Sequence, residues 1–164
     1  MLAHSISVLQ FQTRNSTFLD MISSTATYAL RAAAYLAHHP DRYVNRAEIS
    51  DATAVPHEYL LKVLNRLDTA EIVKSRRGPG GGYRLRRPAG EITSLEVVLT
   101  VDSIPRITVC PLGVERHAQL CPLDQLLDHA AWQLEEALAQ AKLSDLLPRK
   151  KSRTCDFPKI RTTH

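Results

Sequence analysis

The run GPGGG at residues 78–82 constrains the fold of this chain more than any other stretch. Pro79 fixes one φ and removes a backbone donor, and the glycines around it permit φ > 0. Neither a helix nor a central strand can pass through such a run. Directly after it, YRLRR places Tyr83 and Leu85 in alternation with Arg84 and Arg86, the period of a half-buried strand. EIVKS (71–75), just before it, is also strand-like. Two short strands joined by so tight a link predict a β-hairpin. The glycines lead into a strand rather than a helix, and no Gly-Lys-Ser/Thr follows. A phosphate-cradling nucleotide loop and a dinucleotide fingerprint are therefore excluded.

Upstream, the pattern is helical. SSTATYALRAAAYLAHH (23–39) has Ala29, Leu30, Ala33, Leu36 and Ala37 at helical spacing, with Pro40 beyond. NRAEISDAT (45–53) reads as a short helix with Asn45 as cap and Glu48 three residues on, resembling a capping box. Ala54 and Val55 make a tight break. PHEYLLKVLNRLDTAE (56–71) starts on proline at the first helical position. Its inward stripe is Leu60, Leu64 and Leu67, flanked by Leu61 and Val63, and Lys62, Asn65 and Arg66 face outward. Two short helices on a tight turn, followed by a hairpin, predict a winged helix-turn-helix in a mainly α chain.

Charge says what this unit meets. The formal net charge is only +4, but six cations fall within residues 74–87 without an acid among them. Such a cluster repels itself unless an anion lies opposite, and duplex DNA carries one negative charge per about 1.7 Å of axis. A hairpin tipped by Gly80 approaches a groove closely because no Cβ intervenes. Lys74, Arg76, Arg77 and Arg84 are expected at phosphates or the minor groove. His57, Tyr59, Lys62 and Arg66 on the second short helix are expected in the major groove, where base edges can be read. Tyr59 is equally consistent with a core position. Double-stranded DNA is thus the expected partner, with a protein-binding adaptor as the alternative. Salt dependence of duplex binding separates the two. A thiol enzyme is not expected, because no orienting residue or oxyanion donors accompany the cysteines.

The stretch AEISDATAVPHEYLLKVLNRLDTAEIVKSRRGPGGGYRLRRPAGEITSLEVV, with YALRAAAYLA before it and a CPL…CPL segment after it, resembles the Rrf2 family of bacterial winged-helix regulators. The likeness covers residues 21 to 146. It implies a homodimer on a palindromic operator, in most cases a repressor, and a cysteine-bearing loop that senses redox, iron–sulfur or nitrosative state. Family members that bind a cluster carry three cysteines in this loop. Here only Cys110 and Cys121 match, at the outer two positions, and the residue before Tyr28 is Thr27, which is no ligand.

The residues themselves bear on both points. Leu123, Leu127, Ala130, Leu134, Ala137 and Ala141 alternate by four and three, an a/d seam of about three heptads that predicts a long dimerisation helix. SLEVVLTVDS (94–103) is expected to form the helix linking the wing to this region. In VCPLGVERHAQLCPLD (109–124), Cys110, His117 and Cys121 are candidate ligands for an iron–sulfur cluster or zinc, with Asp124 or His129 as further candidates. A cluster-free thiol switch and ordinary structural cysteines remain alternatives. Cys121 precedes a helix whose N-terminus favours the thiolate.

Four regions are expected: a flexible N-terminal extension (1–20), the winged helix-turn-helix (21–92), the sensor loop with the dimerisation helix (93–147), and a basic disordered tail (148–164) holding Cys155. Met21 is a candidate start. The first twenty residues lack the basic start and apolar run of a secretory signal. No apolar run approaches the roughly 18 residues of a membrane span. Three cysteines are too few for a disulfide framework, so a cytoplasmic protein without a membrane partner is expected.

Overall fold

The computed structural model describes residues 22–108 and 120–147. The expected N-terminal extension, Cys110, His117, Cys155 and the basic tail lie outside the described residues.

Helix α1 (Ser24–Ala37) is the element on which the others are assembled. Ser23 caps it, its Oγ accepting from the Ala26 N–H at 3.1 Å. Its buried side chains are mostly alanines: Ala26, Ala29, Ala32 and Ala33 are all fully buried. Small side chains let α2 (Arg46–Thr53), α3 (His57–Thr69) and α4 (Ser94–Val101) approach it closely. Leu36, Ile49, Leu60, Leu64 and Leu67 fill the space between, all inaccessible to solvent. Burying each such side chain contributes roughly 1.5–3 kcal/mol.

The α2–α3 turn is closed by Ala54 in the left-handed region, φ 55°. Asn45 caps α2 by accepting from the Glu48 N–H at 2.8 Å. The reciprocal half of the expected capping box does not form. The Glu48 carboxylate instead receives the Arg42 guanidinium on both oxygens and the Tyr35 hydroxyl at 3.1 Å. The Arg42 hydrogen bonds hold the Glu48 carboxyl below its ordinary range. Pro56 is the cap of α3 rather than its first helical residue. Leu61, expected beside the inward stripe, is exposed, because one 100° step from Leu60 carries it off the buried face.

Strands β1 (Val73–Arg76) and β2 (Gly82–Leu85) form the predicted antiparallel hairpin, with Val73 opposite Leu85 and Arg76 opposite Gly82. Val44 adds a one-residue third rung: its N–H donates to the Tyr83 carbonyl at 2.9 Å, and the Tyr83 N–H returns to the Val44 carbonyl at 2.8 Å. Thr93 and Glu96 form a complete capping box on α4. Helix α5 (Pro122–Gln140) ends one residue short of the expected seam, so Ala141 is its cap. The Ala141 carbonyl accepts from the Ser94 N–H at 2.8 Å, and Leu143, fully buried, donates its N–H to the Ile92 carbonyl at 3.0 Å. The far end of α5 is thereby sewn to the start of α4. The architecture is mainly helical, a helix-turn-helix with a two-stranded wing and a long last helix.

Candidate nucleic-acid interface

The outer face of α3 follows from its buried one. With Leu60, Val63, Leu64 and Leu67 inward, a 100° step per residue turns Glu58, Lys62 and Asn65 outward. Tyr59 and Arg66 fall on one flank of that face and His57 on the other. Tyr59 is not core: it is 52% exposed and meets the Tyr28 ring edge-on at 6.0 Å, with Lys62 Nζ 5.7 Å from its centroid. Arg66 turns toward α4 and donates from Nη1 to the Val101 carbonyl at 2.6 Å. That bond separates its guanidinium from the other predicted readers. On the opposite flank, Arg46 of α2 donates from Nε to His57 Nε2 at 3.1 Å. Arg46 is an interface candidate that the sequence reading missed, since its eleven-residue separation from His57 follows no local pattern.

The hairpin tip stands free. Residues 75–80 are all exposed, and the Gly81 N–H donates to the Gly78 carbonyl at 2.9 Å to close the turn. Gly82 is needed for a steric reason. Its φ is 141°, and a Cβ there would lie 2.3 Å from the Val44 carbonyl oxygen. The glycine therefore makes the third rung possible.

The structure revises the charge balance of this segment. Two of its six cations find carboxylates from elsewhere in the chain. Arg86 lies 3.5 Å from Glu71 and 3.9 Å from Asp68, and Arg87 lies 2.7 Å from Glu96. Asp68 also accepts from Ser75 Oγ at 2.8 Å, tying the hairpin to α3. Among the described residues, no carboxylate pairs with Lys74, Arg76, Arg77 or Arg84. The strand register puts Lys74, Arg76 and Arg84 on one face of the hairpin. Tyr43 stands at that face, its ring centroid 4.5 Å from Arg76 Cζ and 5.4 Å from Arg84 Cζ. Arg76 Nη2 also donates to the Gly80 carbonyl at 2.5 Å. Tyr43 is a second residue that the sequence reading missed.

Of the three candidate metal ligands, only Cys121 lies in the described region. It caps α5 as expected, its Sγ accepting from the Asp124 N–H at 3.4 Å. Its thiol points to the Asp124 carboxylate at 3.2 Å, and Asp124 is 7% exposed. A thiol and a carboxylate at a helix N-terminus are a chemically suitable donor pair for iron or zinc. His129 lies elsewhere, stacked on Trp132 at 5.5 Å. Among the described residues no three His, Cys, Asp or Glu side chains gather as a metal site. On the approach to the cysteine loop, Arg106 makes a bidentate pair with Asp128 at 2.8 and 2.7 Å, and the Ile107 N–H donates to the same carboxylate at 3.0 Å. Arg106 holds the Asp128 carboxyl down at about 2.

Helix α5 leaves Leu123, Leu126, Leu127 and Trp132 exposed. Among the described residues, no helix is long and apolar enough to cross a membrane.

Residues 22–149 match the sequence profile of the Rrf2 family, described as iron-dependent transcriptional regulator. Solved structures with the same fold include the following three. CymR (YrzC), the global cysteine regulator of B. subtilis, is 24% identical, with a TM-score of 0.66 over 76% of this chain and 94% of that one. IscR of T. potens is 22% identical, with a TM-score of 0.64 over 76% and 84%. The oxidized form of Staphylococcus aureus CymR is 22% identical, with a TM-score of 0.63 over 80% and 98%.

Proposed function

This chain belongs to the Rrf2 family of DNA-binding transcriptional regulators, and on that premise we propose that it acts as a homodimer on a palindromic operator, as a repressor whose affinity is set by its cysteine loop. His57, Tyr59 and Lys62 on α3 address the major groove, with Arg46 beside His57. Lys74, Arg76, Arg77 and Arg84, around Gly80, take phosphates and the minor groove. Arg66, turned onto Val101, positions α3 against α4 rather than reading bases. The winged helix-turn-helix spans 21–92 and the sensor and dimer region 93–147, flanked by an extension and a basic tail, in a cytoplasmic protein. The exposed leucines of α5 supply the seam between two copies, and a two-fold axis would present two α3 helices one duplex turn, about 34–36 Å, apart.

The observation that carries this reading is the group of four hairpin cations without a carboxylate partner among the described residues, at and below an exposed tip. Its test is the salt dependence of binding to a mixed-sequence duplex, read by fluorescence anisotropy. Each phosphate contact contributes about 0.9 to the slope of log K against log salt. Arg77→Ala should weaken binding and flatten that slope by about one. An unchanged affinity and slope would take the hairpin off the DNA.

Cys110, His117 and Cys121, with Asp124 beside Cys121, would hold an iron–sulfur cluster. Such a cluster, when bound, supplies a centre sensitive to oxygen, nitric oxide and redox state. The protein's own part is to present Cys121 Sγ at the α5 N-terminus and to fix residues 106–107 on Asp128 of the same helix. A cluster-free thiol switch pairing Cys110 with Cys121 is the second reading, supported by the place of Cys121 Sγ at the α5 N-terminus, where it accepts from the Asp124 N–H. Anaerobic purification with an absorption spectrum and iron and sulfide analysis decides between them. A coupling of about 1–3 kcal/mol between loop and DNA would change affinity 5- to 150-fold.

A further inference from the structure

We propose that Tyr43 is a positioning residue for the wing: its ring face holds Arg76 and Arg84 in place before DNA arrives. The inference rests on the DNA-binding reading above and deepens it by assigning a role to a residue outside the helix-turn-helix and the hairpin.

The backbone fixes the ring first. Tyr43 precedes Val44, whose two hydrogen bonds to Tyr83 make it the third rung beside β2. Tyr43 is therefore held in strand register with the hairpin rather than hanging from a loop. Lys74 lies opposite Arg84, and Arg76 lies two residues along the same face. Like charges directly across a ladder repel. Among the described residues a ring quadrupole is the one attraction found for the Arg84 guanidinium, at 5.4 Å, and it draws Arg76 more closely, at 4.5 Å. Arg76 is held from a second side by the Gly80 carbonyl. The same ring thus gathers two cations that would otherwise spread apart.

The consequence concerns binding more than folding. A long, exposed arginine loses rotamer freedom when it meets a phosphate. If the ring has already ordered it, less is lost on contact. The number of phosphates neutralised does not change. Removing the ring should therefore lower affinity while leaving the salt slope as it was. That combination separates positioning from direct phosphate contact, which moves both.

The experiment uses the full chain and a mixed-sequence duplex of about 30 base pairs, with anisotropy read across a salt series and circular dichroism confirming the fold. Tyr43→Phe keeps the ring face and should bind within twofold of wild type. Tyr43→Leu keeps apolar bulk and should bind about five- to thirtyfold more weakly, with an unchanged slope. Combining Tyr43→Leu with Arg76→Ala and Arg84→Ala should add little beyond the arginine changes alone. Relaxation of the Arg76 Nε–H in free wild-type protein should report a restricted side chain, a measurement that does not depend on any variant folding. Four results would each overturn the proposal: Tyr43→Leu binding like wild type, Tyr43→Phe as weak as Tyr43→Leu, full additivity, or a freely rotating Arg76. Failure of wild-type protein to bind duplex DNA at all would be a different outcome, removing the DNA-binding reading and this inference with it.

Discussion

Replacing Gly82 with alanine should detach the wing, and its neighbouring glycines provide the controls. At Gly82 the backbone has φ 141°, and an added Cβ would meet the Val44 oxygen at 2.3 Å, the Val44 carbonyl carbon at 2.6 Å and the Asn45 nitrogen at 2.9 Å. All three are backbone atoms and cannot rotate away. The substitution adds backbone strain of about 1–3 kcal/mol. It also forces Val44 and Tyr83 apart, losing two hydrogen bonds at about 0.5–1.5 kcal/mol each. A total of about 2–6 kcal/mol follows, a large part of the stability of an ordinary domain. At Gly78, φ is 89° but nothing lies within 4 Å of the added Cβ, so Gly78→Ala carries only the dihedral strain, of order 1–2 kcal/mol. Gly81 has ordinary φ but no room, with the Arg76 oxygen at 2.3 Å, and isolates the steric contribution. Urea denaturation followed by helical circular dichroism ranks the three. Duplex binding detects the alternative in which the hairpin swings out and spares global stability. Gly82→Ala should be the most damaging by one readout or both. If it proves no less stable than Gly78→Ala and binds DNA as tightly as wild type, the third rung and the Tyr43 register built on it are wrong.

Two further outcomes follow from the same geometry. Asn45→Ala removes the α2 cap and should cost about 0.5–2 kcal/mol in urea denaturation, whereas an unchanged midpoint would mean the Asn45–Glu48 bond contributes nothing. Asp128 has its carboxyl lowered to about 2 by Arg106, so its contribution to stability is complete above the ordinary carboxylate range and is lost as pH falls through that lowered value. The stability difference between wild type and Asp128→Asn should therefore shrink between pH 4 and pH 2, and a constant difference across that range would mean that Asp128 does not hold Arg106 and Ile107.

What the sequence made legible was whatever repeats within one element. The leucine stripe of α3, the strand carrying Tyr83 and Leu85, the glycine turn and the long last helix are each legible over a short window, and each element forms where expected, α5 ending one residue before Ala141. The misses are relations between elements. DRYVN (41–45) reads as a turn, and nothing in it says that Tyr43 will stand against two arginines more than thirty residues away. Arg66 carries the right spacing for an outward reader, yet the Val101 carbonyl at the end of α4 claims it. Glu48 has capping-box spacing, but Arg42 and Tyr35 outcompete the local backbone for its carboxylate. In each case a charged group found a better partner through tertiary packing than its own turn offered.

The same principle explains how so modest a net charge can give one local basic surface. Hydrophobic packing sets where α3, α4 and the hairpin meet, and that junction brings Asp68, Glu71 and Glu96 to the hairpin base, where they meet Arg86 and Arg87. Exposed ion pairs of this kind are worth about 0–1 kcal/mol each, so their effect is mainly orientation. Farther out, among the described residues, the carboxylates stop. Lys74 and Arg84 come next, then Arg76, then Arg77 at the turn. The hairpin is thus clamped electrostatically at one end and increasingly unbalanced toward the other. An approaching polyanion meets the unpaired charges first and gains most there, while the neutralised base keeps the angle between wing and α3 fixed. Reversing that order, with acids near the tip and free arginines at the base, would leave net charge unaltered and remove the feature on which the proposed DNA contact of the hairpin rests.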